Sequence, residues 1–270
     1  MDNIQLKTDT RFTYSYRLYC SPGKESDPLQ LLVAVHGNER DAKGLLEGYE
    51  QNANHLAPGN YAMLSPLFPA GILGDGWEQG YKFLHEKDIR YDTLLFDMIH
   101  QLCHHDLHLQ QDIPTFLLHG YSGGGQFVHR LFYLHPERIT ALFVGAPGAI
   151  TVISDEHHWW YGTRGMKKAF DLHGGLDLNA MKKVPVMMLV GDKDTNDMVY
   201  SKKATEKFLA TSSQEALDAI MGRNRLERMH ILYNNWKQAG LNVQLQVIPG
   251  LGHNGARVVP NAAAFFASLA

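Results

Sequence analysis

Five short apolar runs decide most of what this chain can fold into. Leu29 to Val35, Ala62 to Leu64, Thr115 to Leu118, Ala141 to Val144 and Val186 to Val190 are nearly continuous in apolar residues and mostly closed by glycine or proline. A strand with one wet face alternates apolar and polar side chains, so unbroken runs of this length read as strands covered on both faces. Between them the period changes. Tyr91, Leu94, Leu95, Met98 and Leu102 recur at three- and four-residue spacing, as do Phe127, Leu131 and Leu134, which is the stripe of an amphipathic helix. Strand and helix in alternation predict an α/β fold with a mostly parallel central sheet and helices on both faces.

The ends complete this pattern. Phe12 to Leu18 alternates large apolar with polar residues, as in an antiparallel edge with one covered face. Asn224 with Glu227 three residues on reads as a capping box, ahead of a helix burying Leu226, Met229, Tyr233 and Trp236 and ending at Gly240. Val243 to Ile248 reads as the last strand and Ala262 to Leu269 as a closing helix. No repeat or low-complexity stretch interrupts the 270 residues, so one domain over 1–270 is expected. Two stretches exceed what a crossover needs. Residues 151–183 carry His157-His158-Trp159-Trp160-Tyr161 and read either as a lid-like insertion walling a site or as a surface helix pair with its aromatics packed on the body. Asn196 to Gly222 has no assigned role.

Composition excludes several function classes. Apolar residues at 44% with charged residues at 20% describe an ordinary globular chain. No apolar run approaches the roughly 20 residues of a membrane span, so no membrane partner is expected. A formal charge of -3 gives no field for collecting phosphates, which argues against nucleic acid. Cys20 and Cys103 are too few for a disulfide framework or a zinc knuckle, and Met1 to Gln5 lacks a basic start before an apolar stretch; the expected location is the cytoplasm. His104, His105 and His108 have no glutamate or cysteine at helical spacing, so no metal site is expected. Oligomeric state is not legible.

The chemistry concentrates at strand ends. Gly120-Tyr121-Ser122-Gly123-Gly124 follows one apolar run directly and precedes a helical pattern, the context of a nucleophile elbow, in which glycines clear space around a serine held on a strained turn. A phosphate cradle is the competing reading of the glycines, but position 128 is Val128 and no Lys-Ser or Lys-Thr follows. Serine needs a base. His253 sits in the glycine-rich stretch Pro249 to Gly255 after the last strand, and Gly191-Asp192-Lys193-Asp194 after an earlier one offers Asp192, Asp194 and Asp197 as carboxylates. Asp194 is far enough along the loop to turn toward the imidazole, whereas Asp192 suits a turn cap. Gly123 and Asn38, the latter after His36-Gly37, supply candidate oxyanion amides. Candidate substrate contacts are His36, Tyr121, His158, Trp159, Trp160 and Tyr161.

Taken together, Val35-His36-Gly37, the elbow, Gly191 to Asp194 and Gly252-His253 resemble the α/β-hydrolase superfamily over about Leu29 to Leu269, in particular esterases similar to polyhydroxybutyrate depolymerases and feruloyl esterases. That resemblance implies an eight-stranded, mostly parallel sheet, no cofactor, and an acyl-enzyme route for esters, thioesters or amides. With no leader and no disulfide expected, a small-molecule acyl substrate is favoured over a polymer. The alternative is a non-hydrolytic use of the same pocket, as a receptor, lyase or cyclase.

Overall fold

A computed structural model describes residues 5–8, 13–68, 70–71, 79–196 and 202–270. The strands are β1 (Gln5–Thr8), β2 (Thr13–Cys20), β3 (Leu29–Val35), β4 (Asn60–Leu67), the two-residue ribbon strands β5 (His85–Glu86) and β6 (Ile89–Arg90), β7 (Phe116–Tyr121), β8 (Ile139–Gly145), β9 (Val186–Gly191) and β10 (Val243–Ile248). The helices are α1 (Ala42–Gln51), α2 (Tyr91–Gln101), α3 (Gly123–Leu134), α4 (Met166–Ala169), α5 (Leu178–Lys183), α6 (Lys202–Leu209), α7 (Gln214–Met221), α8 (Arg225–Gln238) and α9 (Val259–Ala267).

Eight strands form one sheet in the order β1-β2-β4-β3-β7-β8-β9-β10. The first two junctions, β1-β2 and β2-β4, are antiparallel and the other five are parallel. All five apolar runs fall within strands, although the third strand begins at Phe116 and continues to Tyr121. Its six residues, Phe-Leu-Leu-His-Gly-Tyr, are all buried, as a strand at the centre of a two-sided sheet requires. Phe12 lies outside the described residues, and the alternating segment begins at Thr13 as an inner strand between β1 and β4.

The order reverses between β3 and β7, because β3 is followed in the chain by β4 on one side while β7 lies on the other. Such a switch point opens a crevice at the carboxyl ends of the strands. Register brings the relevant loops to that rim together: Val35 pairs with Gly120, Gly120 with Val144, and Ile248 with Gly191. Helix α3 rises from this crevice with all twelve residues buried.

Two expectations need correction. Helix α8 is capped by Asn224, which accepts the Glu227 amide at 3.0 Å, but Glu227 reaches back to the amide of Arg223 at 2.9 Å, one residue earlier than a capping box predicts. Its buried face is Arg228, Met229, Leu232 and Trp236, while Leu226 and Tyr233 are only partly covered. Arg228 can be buried because its guanidinium is held by the carbonyls of Gly148 at 2.6 Å and Gly222 at 3.2 Å.

The 151–183 stretch is mostly irregular, with only α4 and α5 in it. Its aromatics turn onto the body: Tyr161 packs on Phe208, Trp159 meets Phe170 edge-on, and Trp160 lies against Phe83 and the Arg130 guanidinium. Among the described residues, no helix is long and apolar enough to cross a membrane.

Candidate active site

Strand β7 delivers Ser122 to the crevice in a conformation that few L-residues adopt, φ 57° and ψ -112°. A strained serine persists only where its surroundings fix it. Here the Ser122 amide donates to the Gly145 carbonyl at 2.8 Å, and the Ser122 carbonyl accepts the first helical bond from Gln126 at 3.1 Å. The turn also needs room. A Cβ at Gly124 would run into the Val35 carbonyl, and one at Gly120 into the carbonyl of Gly124, so strand, serine and helix approach this closely only with glycine at both places.

Two other loops meet Ser122. The loop after β10 places His253 Nε2 3.0 Å from Ser122 Oγ. The loop after β9 places Asp194 Oδ2 2.6 Å from His253 Nδ1. Asp194 is buried, its side chain 1% exposed, while the imidazole is 30% exposed; the carboxylate is thus shielded and the imidazole partly open. An Nδ1–H donated to Asp194 leaves the Nε2 lone pair directed at the serine hydroxyl, the tautomer a proton acceptor needs. Asp192, by contrast, accepts the Gly250 amide at 2.7 Å and ties the two loops together. Asp197 lies outside the described residues.

The second oxygen of Asp194 is also occupied. Arg225, the first residue of α8, donates from Nη1 to Oδ1 at 3.2 Å, and its side chain is only 14% exposed. Tyr121 holds the imidazole from the other side: its ring lies 4.9 Å from that of His253, its hydroxyl oxygen stands 3.3 Å from Nδ1, and it accepts the Asn254 amide at 3.1 Å. Burial, and then the nearby Asp194 charge, pushes the Tyr121 phenol up to about 12, so it remains a neutral hydroxyl.

Gly123 is the first residue of α3, so its N–H has no acceptor within the helix. The loop after β3 crosses beside it. A Cβ at Gly37 would stand 3.7 Å from the Ser122 Cβ, and one at Gly123 would stand 2.8 Å from Asn38 Oδ1. This loop is braced by Tyr81, whose hydroxyl donates to the Gly37 carbonyl at 3.1 Å. Gly123 and exposed Asn38 therefore flank the serine from two chains.

No protein-family model matches the chain, and neither does any curated protein. Solved structures do. The chain is similar to LpqC, a poly(3-hydroxybutyrate) depolymerase from Bordetella parapertussis, at 22% identity and a TM-score of 0.67, covering 99% of this chain and 90% of that one. It is similar to an S-formylglutathione hydrolase from Agrobacterium tumefaciens at 14% identity and a TM-score of 0.58, covering 99% of each. A ferulic acid esterase matches at 12% identity and a TM-score of 0.58, covering 98% of this chain and 96% of that one. The chain has the α/β-hydrolase fold.

Within this fold, some predicted substrate contacts sit elsewhere than expected. His36 is 1% exposed. Its Nδ1 contacts the Gly37 carbonyl at 2.8 Å and its Nε2 accepts the Phe68 amide at 3.3 Å, so backbone groups occupy both nitrogens and none is left for a ligand. Burial pushes its pKa down to about 4, keeping the ring neutral. Tyr121 is 8% exposed and packs against the His253 ring, a contact to the imidazole where a substrate contact was expected. Tyr161 is 7% exposed. His158 is exposed, and Trp159 and Trp160 are partly so. Arg225 carried no local signal, since it reaches Asp194 across 31 positions. Among the described residues, the one group of histidines and carboxylates close enough to share an ion is His100, His104 and Asp112, which lies at the other end of β7.

Proposed function

We propose that this chain is a serine hydrolase that cleaves a carboxylic ester of a small molecule through an acyl-enzyme on Ser122. The observation that carries the reading is the unbroken line Ser122 Oγ, His253, Asp194, with contacts of 3.0 and 2.6 Å. Ser122 Oγ attacks the acyl carbon as its proton passes to His253 Nε2. The amides of Gly123 and Asn38 receive the carbonyl oxygen as it becomes negative. Collapse of the adduct expels the alcohol, which takes the proton from His253. Water, deprotonated by the same imidazole, then attacks the acyl-enzyme and releases the acid and free Ser122. Asp194 orients the ring and stabilises it while protonated, and Arg225 and Tyr121 hold that pair in register. Each group in this scheme comes from the chain, so no cofactor is invoked.

The esterase and depolymerase names of the similar structures agree with ester chemistry. The acyl group is short or aromatic in this reading, and Trp159 and Trp160, packed on the body yet partly exposed, are the aromatics of 151–183 with surface left to meet it. A fluorophosphonate probe should label Ser122, and Ser122→Ala should lower kcat toward p-nitrophenyl esters by about 10⁴ to 10⁶-fold. A folded protein that stays unlabelled, or activity that survives Ser122→Ala, would transfer the pocket to a receptor, lyase or cyclase role. Preference for long-chain esters within a graded panel would overturn the acyl-group assignment alone.

A further inference from the structure

Far from Ser122, two imidazoles and a carboxylate converge on one point. His100 and His104 are four residues apart at the end of α2 and in the π-helical turn Leu102–Asp106 that continues it, which puts both rings on one face. Asp112 comes from the loop leading into β7. His100 Nδ1 stands 3.2 Å from Asp112 Oδ1, and His104 Nε2 stands 3.1 Å from the same oxygen. The two ring centroids are 4.2 Å apart, and the three donor atoms all lie within 4.8 Å of one another.

We propose that His100, His104 and Asp112 form a binding site for a divalent transition-metal ion, of which zinc is the best match. Ligand atoms held about 2.1 Å from a tetrahedral ion stand about 3.4 Å from each other. The two nitrogen-to-oxygen separations here are within about 0.3 Å of that spacing. Imidazole nitrogen with a carboxylate is a donor set that zinc, nickel and copper accept and that calcium and magnesium do not favour. The side chains of His100 and Asp112 are 59% and 40% exposed, leaving room for water as the fourth ligand. The carboxylate arrives from the loop eight residues beyond the second histidine, so helical spacing alone does not reveal the set.

The site is separate from the reaction. Asp112 precedes β7 and Ser122 follows it, and a six-residue strand spans about 20 Å. An ion there pins the 107–115 loop to α2 and acts on stability, without touching the ester. This assignment is independent of the hydrolase reading.

The test is titration of the metal-stripped full chain with Zn²⁺ by calorimetry and with Co²⁺ by visible absorption, together with thermal unfolding. One equivalent of Zn²⁺ should bind and raise Tm by several degrees, and Co²⁺ should give the intense bands of a tetrahedral site. His104→Gln and Asp112→Asn should each weaken binding at least tenfold and abolish the Tm rise, whereas His105→Gln should leave both intact. All three positions reach solvent, so the variants can be checked for folding by circular dichroism. Binding that persists in His104→Gln and Asp112→Asn, or no binding at 100-fold excess of ion over protein, overturns the site. Labelling of Ser122 by a fluorophosphonate should be the same with and without EDTA; loss of labelling on chelation would overturn the separation from the active site.

Discussion

Acidification should unfold this protein through histidines that the reaction never uses. His36, His119 and His129 are each buried to 1% exposure or less. Burial pushes His36 down to about 4 and His119 down to about 3, and pushes His129 well below the ordinary range. Hydrogen bonds explain why the neutral forms persist. His129 Nδ1 contacts the Gly125 carbonyl at 2.7 Å while its Nε2 accepts the Thr151 amide at 3.0 Å, so a second proton would face an N–H. His119 touches Tyr49 Oη at 2.9 Å through Nδ1, and its Nε2 is buried with no hydrogen-bond partner among the described residues. The folded values lie below the unfolded one of about 6.5, so the unfolded chain takes up protons that the folded chain refuses. Stability is therefore full above pH 6.5 and falls as the pH drops toward 4 for His36 and toward 3 for His119. Between pH 8 and pH 5 each of these two costs about 2 kcal/mol, about 4 together, and His129 adds in the same direction. A domain holds only about 5 to 15 kcal/mol in total. Urea unfolding followed by tryptophan fluorescence at pH 8, 6.5 and 5 measures the fall directly. His119→Asn should be less stable at pH 8 yet lose about 2 kcal/mol less on going to pH 5. Stability at pH 5 within about 1 kcal/mol of that at pH 8 would refute the reasoning.

Arg225→Met removes the cation from Asp194 Oδ1 and should lower kcat/KM toward esters by about 10 to 100-fold with KM little changed; a folded variant with unaltered kcat would show that the second carboxylate oxygen does not matter. Gly124→Ala forces a methyl into the Val35 carbonyl and should cost about 1 to 3 kcal/mol, with loss of Ser122 labelling. Gly252→Ala, whose added methyl meets nothing within 4 Å, should leave Tm and labelling as they are, and equal losses in both would rule out the steric account of the elbow.

Much of the fold was legible because the signals are local. A strand covered on both faces must be apolar throughout, so β3, β7, β8 and β9 announce themselves within a few residues. The elbow is local in sequence too, since glycines stand two residues either side of Ser122 between an apolar run and a helical pattern, although the Val35 carbonyl that Gly124 makes room for comes from another strand. Asp194 over Asp192 could be argued from distance along the loop, whereas the Asp192 contact to Gly250 at 2.7 Å joins two loops and is not the local turn cap expected of it.

What sequence alone determined is the sheet, the turn that carries Ser122, and the order of the residues that meet there, because each rests on period, chain reversal or the size of one side chain. Tertiary structure decided the rest: that Arg225 ends beside Asp194, that Tyr121 backs the imidazole, that His36 accepts the Phe68 amide, and that Asp112 joins two helical histidines. Those pairings join segments eight to more than a hundred residues apart. Packing, which no short stretch of chain encodes by itself, is what brings such groups within hydrogen-bonding distance.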